Sequence, residues 1–256
     1  IGEERIQYNE KTLWSGGPQP DSTDYNGGNY QDRYKVLAEI RKALEEGNRQ
    51  KAKQLAERNL VGPNNAQYGR YLSFGDIFMV FNNQKKGLEN VTDYHRGLDI
   101  SEAISTTSYT QDGTNFKRET FSSYPDDVTV THLSKKGDKT LDFTLWNSLT
   151  EDLIANGDYS WEYSNYKQGA VTTDSNGILL KGTVKDNGLK FASYLGIKTD
   201  GQVTAQDGYL TVTGASYATL LLSAKTNYAQ NPKTNYRKDI DVEKTVKSIV
   251  EAAKAK

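Results

Sequence analysis

The chain carries two histidines, 33 carboxylates and no cysteine, and these set the chemistry open to it. Without cysteine there is no thiol nucleophile, no disulfide and no thiolate-bound zinc. His132 sits in the alternating run Val128–Leu133 and reads as structural. His95 sits in Tyr94-His95-Arg96-Gly97-Leu98-Asp99, where a loop enters a strand. A lone histidine is more often a hydrogen-bonded structural residue than a base. No HExxH, GxSxG or phosphate-loop glycine pattern occurs. No metal-ligand spacing is present and no cofactor is expected. Hydrolysis of a glycosidic bond needs two carboxyl groups flanking it. Glu10, Asp76, Asp126-Asp127 and Glu151-Asp152 stand near turns, but spacing brings no two of them to a working distance. Asp126-Asp127 follows Pro125 and reads as a turn; Glu151-Asp152 follows Thr150 and reads as a solvated loop or helix start. No catalytic residue is assigned.

The densest group of unusual residues is Asn9-Glu10-Lys11-Thr12-Leu13-Trp14-Ser15-Gly16-Gly17-Pro18. It opens a long loop, 12–30, rich in Gly, Pro, Asn, Asp and Ser. Loops of this length inside compact domains are usually functional or packed over something. A tryptophan among small polar residues can stack on a sugar ring or plug a domain interface. It can equally be a buried pin that holds the loop. Composition leaves both readings open.

The elements that position these residues are mostly strands. Leu72, Phe74, Ile77, Met79 and Phe81 are mostly two apart around Gly75-Asp76. Val128–His132, Leu141–Leu145, Ile178–Leu180, Phe191–Ile197, Tyr209–Val212 and Ala218–Leu222 continue the pattern. Turn signals separate them: Asp112-Gly113, Lys136-Gly137-Asp138, Asn176-Gly177, Asn187-Gly188, Asp200-Gly201 and Asp207-Gly208. Such dipeptides supply the positive φ of tight hairpins. The expected fold is mainly β, a large antiparallel sandwich. Helical periodicity interrupts it over Tyr34–Glu46, with a stripe of Leu37, Ile40 and Leu44 and a stop at Gly47. A second helix is capped by Asn48, carries Ala52, Leu55, Ala56 and Leu60, and closes at Gly62-Pro63. A third fits Asp241–Lys256, with Asp241 as N-cap and Val242, Val246, Ile249 and Val250 as its stripe.

Net charge is −1, which gives no electrostatic footprint for nucleic acid. No run approaches the roughly 18 consecutive apolar residues of a membrane span. The 17 tyrosines suit strands and sugar-facing surfaces alike.

Arg5–Pro18 resembles the opening signature of the N-terminal domain of glycoside hydrolase family 95, the α-L-fucosidases. The likeness continues in order. Tyr68–Ile77 is similar to the family's "Y-q-p-l-G-D-l" strand, and Tyr94–Ile100 to its "Y-r-R-x-L-D-L". Phe116–Ser123 resembles "y-x-R-E-x-F-x-S". Ala215–Leu222 with Ala224–Tyr228 resembles the family's closing strand and "T-n-Y". Five motifs in register cover essentially the whole chain. The resemblance implies a galactose-mutarotase-like supersandwich at 1–238, related to that of family 65, with the helical insertion at about 34–60. It implies a linker helix beginning in 239–256, and an (α/α)6 catalytic barrel outside this chain.

It also implies a secreted or cell-surface bacterial parent enzyme that releases terminal α-1,2-linked L-fucose from glycans with inversion. That family's catalytic carboxylate and water-activating residues lie in the barrel, so none carries over. The partners implied are the barrel and, for the parent, a fucosylated glycan; neither nucleic acid nor a transmembrane segment is expected. Asn9, Glu10 and Trp14 are the residues expected to touch the barrel or rim its sugar pocket. The family's Gly-rich strand would precede Ile1, so an open sheet edge and self-association through it are expected. Two other readings stand beside this one. An independent carbohydrate-binding module or surface adhesin fits the aromatic content and the sandwich. An aldose epimerase would need a histidine-rich sugar site, which two histidines in these contexts do not make.

Overall fold

The computed structural model describes residues 2–16, 32–60, 69–81, 90–150 and 166–256. It divides into two compact units, residues 1–15 with 71–256, and residues 16–70.

The larger unit is the expected antiparallel sandwich. Its smaller sheet orders β1 (Glu3–Tyr8), β2 (Gly75–Phe81), β7 (Leu141–Asn147), β12 (Tyr209–Ala215) and β11 (Gln202–Gln206). Its larger sheet orders β3 (Val91–Asp99), β4 (Ile104–Gln111), β5 (Thr114–Ser123), β6 (Val128–Lys136), β13 (Tyr217–Thr226), β10 (Lys190–Thr199), β9 (Gly177–Val184) and β8 (Lys167–Asp174). The core lies between the sheets. Ile77, Met79 and Phe81 from β2 meet Tyr109, Phe116, Leu133, Leu195 and Leu222 from the other sheet. A second cluster, Leu13, Leu72, Phe74, Leu149, Leu180, Val184, Leu189 and Phe191, closes one end. Burying a Leu or Phe side chain contributes roughly 1.5–3 kcal/mol, so these clusters hold the two sheets together.

The alternating pattern located β2, β6, β7, β9, β10, β12 and β13. It did not single out β4, whose sequence is Ile-Ser-Thr-Thr-Ser-Tyr-Thr-Gln. There the threonines serve both faces, and only Thr107 and Tyr109 are buried. Leu72 and Phe74 are buried as expected but precede β2 as extended chain. Four turn signals close hairpins as read: Asp112-Gly113, Asn176-Gly177, Asn187-Gly188 and Asp207-Gly208. Asp112-Gly113 and Asp207-Gly208 have all four φ values positive, between 48° and 81°, which is type I′ geometry. The Gly137 and Gly201 turns do something else. They carry the chain from the larger sheet to the smaller one, β6 to β7 and β10 to β11. A turn dipeptide fixes a reversal of direction, but tertiary packing decides which sheet receives the next strand.

Helix α3 (Val242–Lys254) packs on the outer face of the larger sheet through Val242, Val246 and Val250, against Leu179, Ala192, Tyr194 and Leu221. Asp241 caps it, accepting from the Lys244 amide at 3.0 Å. Gly196 makes the close approach possible: a Cβ there would stand 2.5 Å from Val250.

Among its described residues the smaller unit has a 3-10 turn (Arg33–Val36) and helices α1 (Leu37–Glu45) and α2 (Arg49–Asn59). Asn48 caps α2 as expected, accepting from the Lys51 amide at 3.0 Å. Gly47 takes φ +75° and breaks the chain between the helices. The helices meet through Ile40, Ala43 and Ala52. Leu44 and Leu60, expected on the buried stripes, are exposed. Ala43 takes Leu44's place on the buried face, three residues after Ile40. The expected stop at Gly62-Pro63 lies outside the described residues.

Candidate functional site

The strand registers divide the sandwich's connections between two ends. One end carries mostly tight, polar reversals: Asp112-Gly113, Gly137-Asp138, Ser175-Asn176, Asp200-Gly201 and Ser216. The other, here called the loop end, is where β1, β3, β5, β7 and β13 finish. Trp14, Tyr71, Ile100 and Tyr124 are exposed there, with Leu98 and Phe121 one or two residues back on β3 and β5. Trp14 is 46% exposed and Tyr124 97%. Folding does not ask for side chains of this size at such exposure, which makes the loop end the candidate interaction surface.

The loop end is rigidly built beneath Trp14. Leu13 is fully buried, and its carbonyl accepts from the Leu72 amide at 3.0 Å. The Trp14 indole donates to the Lys11 carbonyl at 2.8 Å, and its ring leans on Tyr71 with centroids 5.2 Å apart. Asn187 donates from the β9–β10 turn to the Trp14 carbonyl at 2.9 Å. Arg237 in turn donates to the Asn187 carbonyl at 2.7 Å. Glu10 accepts from the Thr12 amide at 2.8 Å and from the Thr12 hydroxyl, which also meets Thr226 of β13. Asn9 accepts from the Phe74 amide at 3.2 Å. So the side chains of Asn9 and Glu10 are tied to the backbone of this region, whereas the Trp14 ring is left largely to solvent. Composition could not separate these roles, because they depend on contacts with Phe74 and Thr226, far along the chain.

A polar cluster lies under the loop. Asp76 has no exposed surface and takes two hydrogen bonds from Arg5, at 2.6 and 2.9 Å. Lys167, at the start of β8, donates to the Ser73 carbonyl at 2.6 Å and the Phe74 carbonyl at 3.4 Å. Tyr8 holds Ser193 at 2.7 Å and accepts from Asn147 at 3.0 Å. Burial pushes the Lys167 ammonium down to about 8, against the opposing pull of the Asp76 carboxylate. Burial pushes the Tyr8 phenol up to about 12. A lysine that folding makes more acidic penalises the fold while it keeps its proton. Stability should therefore rise with pH from about 8 towards the ordinary lysine value of 10.5. Tyr8 acts in the opposite sense, and its contribution fades as pH climbs from 10 through about 12. Urea midpoints measured from pH 7 to 10 should rise in the wild type, and the rise should be flatter in Lys167→Met. Parallel profiles for the two proteins would rule out Lys167 as its source.

The other candidate groups have these surroundings among the described residues. His132 meets the Thr219 hydroxyl at 2.9 Å and stacks beside Tyr217. His95 is exposed within β3 rather than at its entrance. Asp126 and Asp127 form the β5–β6 turn, as read, and ion-pair with Lys256 and Lys225. Asp76 is a buried partner of Arg5 and not a turn acid. Glu151-Asp152 lies outside the described residues. Among the described residues no cluster of His, Asp and Glu could hold a metal ion, and no helix is long and apolar enough to cross a membrane.

Comparison with known proteins places this geometry. The family model described as glycosyl hydrolase family 65, N-terminal domain, matches residues 1–231. Alpha-L-fucosidase 2 of Arabidopsis thaliana is 25% identical over 252 residues, covering 89% of this chain and 27% of that protein. A probable alpha-fucosidase A of Aspergillus oryzae is 23% identical over 236 residues, covering 89% of this chain and 29% of that protein. Its counterpart in Aspergillus niger is 30% identical over 151 residues, 57% of this chain. The chain spans less than a third of these relatives' length. They bear out the likeness read from the five motifs.

Proposed function

Since the chain belongs to the family of glycosyl hydrolase family 65 N-terminal domains, we propose that it is the non-catalytic domain of an inverting α-L-fucosidase, docked on its catalytic barrel through the loop end. The observation that carries this is the gathering of exposed Trp14, Tyr71, Ile100 and Tyr124 at one end of the sandwich. The fucosidase relatives, over three times as long as the matched region, supply room for the barrel. In this reading residues 1–238 are the supersandwich with its helical insertion at about 34–60, and 239–256 lead towards the barrel. Trp14 makes the contact, while Asn9 and Glu10 hold the loop that presents it.

The parent is read as a secreted bacterial enzyme acting on terminal α-1,2-linked L-fucose of glycans. β1 is an outer strand of the smaller sheet, and such a rim is where a second copy would add a strand. The function is tested by incubating this chain with 2′-fucosyllactose and following free fucose. No release is expected, because the acid–base pair that the reaction needs is assigned to the barrel. Fucose released above background by the purified chain, and unchanged by removal of trace hydrolases, would overturn the non-catalytic assignment.

A further inference from the structure

The outer face of the smaller sheet carries a row of side chains that the core does not need. β1, β2, β7 and β12 are adjacent, and their registers set Arg5 opposite Phe78, Phe78 opposite Trp146, and Trp146 opposite Tyr209. Their strand neighbours Ile77, Leu145 and Leu210 point inward and are buried. The row therefore points outward. Phe78 and Trp146 stack with centroids 5.5 Å apart and planes 20° from parallel. Tyr209 continues the row 5.7 Å from Trp146. The Arg5 guanidinium lies 5.9 Å from the Phe78 centroid. All three rings are partly exposed. On the same face, the next outward pair is Thr144 and Thr211, with hydroxyls 3.2 Å apart.

We infer that this row is a binding platform for a neutral oligosaccharide. A pyranose has an apolar C–H face and a rim of hydroxyls. The rings offer a flat apolar strip for the first. The threonine hydroxyls and the guanidinium offer hydrogen-bond partners for the second. The stack is about as long as a disaccharide. Two alternatives fit less well. A peptide cannot add as a strand on this face, because β2, β7 and β12 are interior strands whose ladders are already paired on both sides. An anionic ligand finds no spare positive charge, since Arg5 is already matched by Asp76 at 2.6 Å.

The test is native affinity electrophoresis of the intact chain in gels containing xyloglucan, galactan or arabinogalactan, with calorimetric titration of lactose and 2′-fucosyllactose. At least one polysaccharide should retard the chain. Trp146→Ala should weaken that retardation about tenfold, equivalent to about 1.4 kcal/mol. Phe78→Leu keeps most of the side-chain volume but removes the ring, so it should weaken binding with little change in melting temperature. It decides the matter if Trp146→Ala fails to fold. Trp14→Ala, at the loop end, should leave retardation unchanged. The platform is overturned if no gel retards the chain, if Phe78→Leu binds like wild type, or if binding is lost in Trp14→Ala instead. None of these outcomes bears on the docking of a barrel, which the fucosidase assignment needs and this platform does not.

Discussion

Asp76→Asn is expected to destabilise the sandwich by about 1–3 kcal/mol, the usual effect of changing a buried hydrogen-bonded group, since its partner Arg5 is half exposed. Asp76 has no exposed surface, and Arg5 meets it at 2.6 Å. Lys167 is also buried and draws on the same carboxylate. Asparagine keeps the shape and can keep its carbonyl on Arg5, since both Arg5 bonds fall on Oδ2, but it loses the charge that strengthens them. It also removes a carboxylate whose field favours the buried Lys167 ammonium. Equilibrium urea unfolding of the 256-residue chain gives the number directly. A double variant with Lys167→Met should recover part of the loss, because the two charges are coupled. A loss below about 1 kcal/mol, the range of an exposed ion pair, would show that water still reaches this carboxylate.

Trp14→Ala should separate two functions of the loop. In the isolated domain the change should be small, within about 1 kcal/mol, because the ring is nearly half exposed and Leu13 beside it holds the loop. In the full-length enzyme the same substitution should lower kcat/KM or the melting temperature, since a central interface aromatic contributes about 2 kcal/mol or more. Two kcal/mol corresponds to roughly thirtyfold in rate if all of it reaches the transition state. Tyr71→Ala should act in the same direction, since its ring supports Trp14 at 5.2 Å. A full-length Trp14→Ala enzyme with full activity and unchanged thermal stability would remove this loop from the interface.

Much of the architecture was legible because it rests on short-range physics. A period of two with buried alternate residues marks β6 and β7 from sequence alone. The caps at Asn48 and Asp241 need only a side-chain oxygen near amides three residues on. β4 was not legible in that way, because threonine and serine fit a strand without marking an inward face.

The candidate site divides along the same line. The local pattern of Asn9–Pro18 was enough to mark the loop as unusual, and five ordered motifs were enough to name its kin. Sequence also determined the strand period, the type I′ hairpins and the valine stripe of α3. Tertiary structure alone decided that Asp76 is a buried partner of Arg5, 71 residues away, and not a turn acid. It alone gathered Trp14, Ile100 and Tyr124 at one end, and set Phe78, Trp146 and Tyr209 in one row. The physical reason is range. Backbone period and turn geometry are set by neighbours within a few residues, whereas ion pairing, exposure and shared faces are set by strand register between segments far apart in the chain.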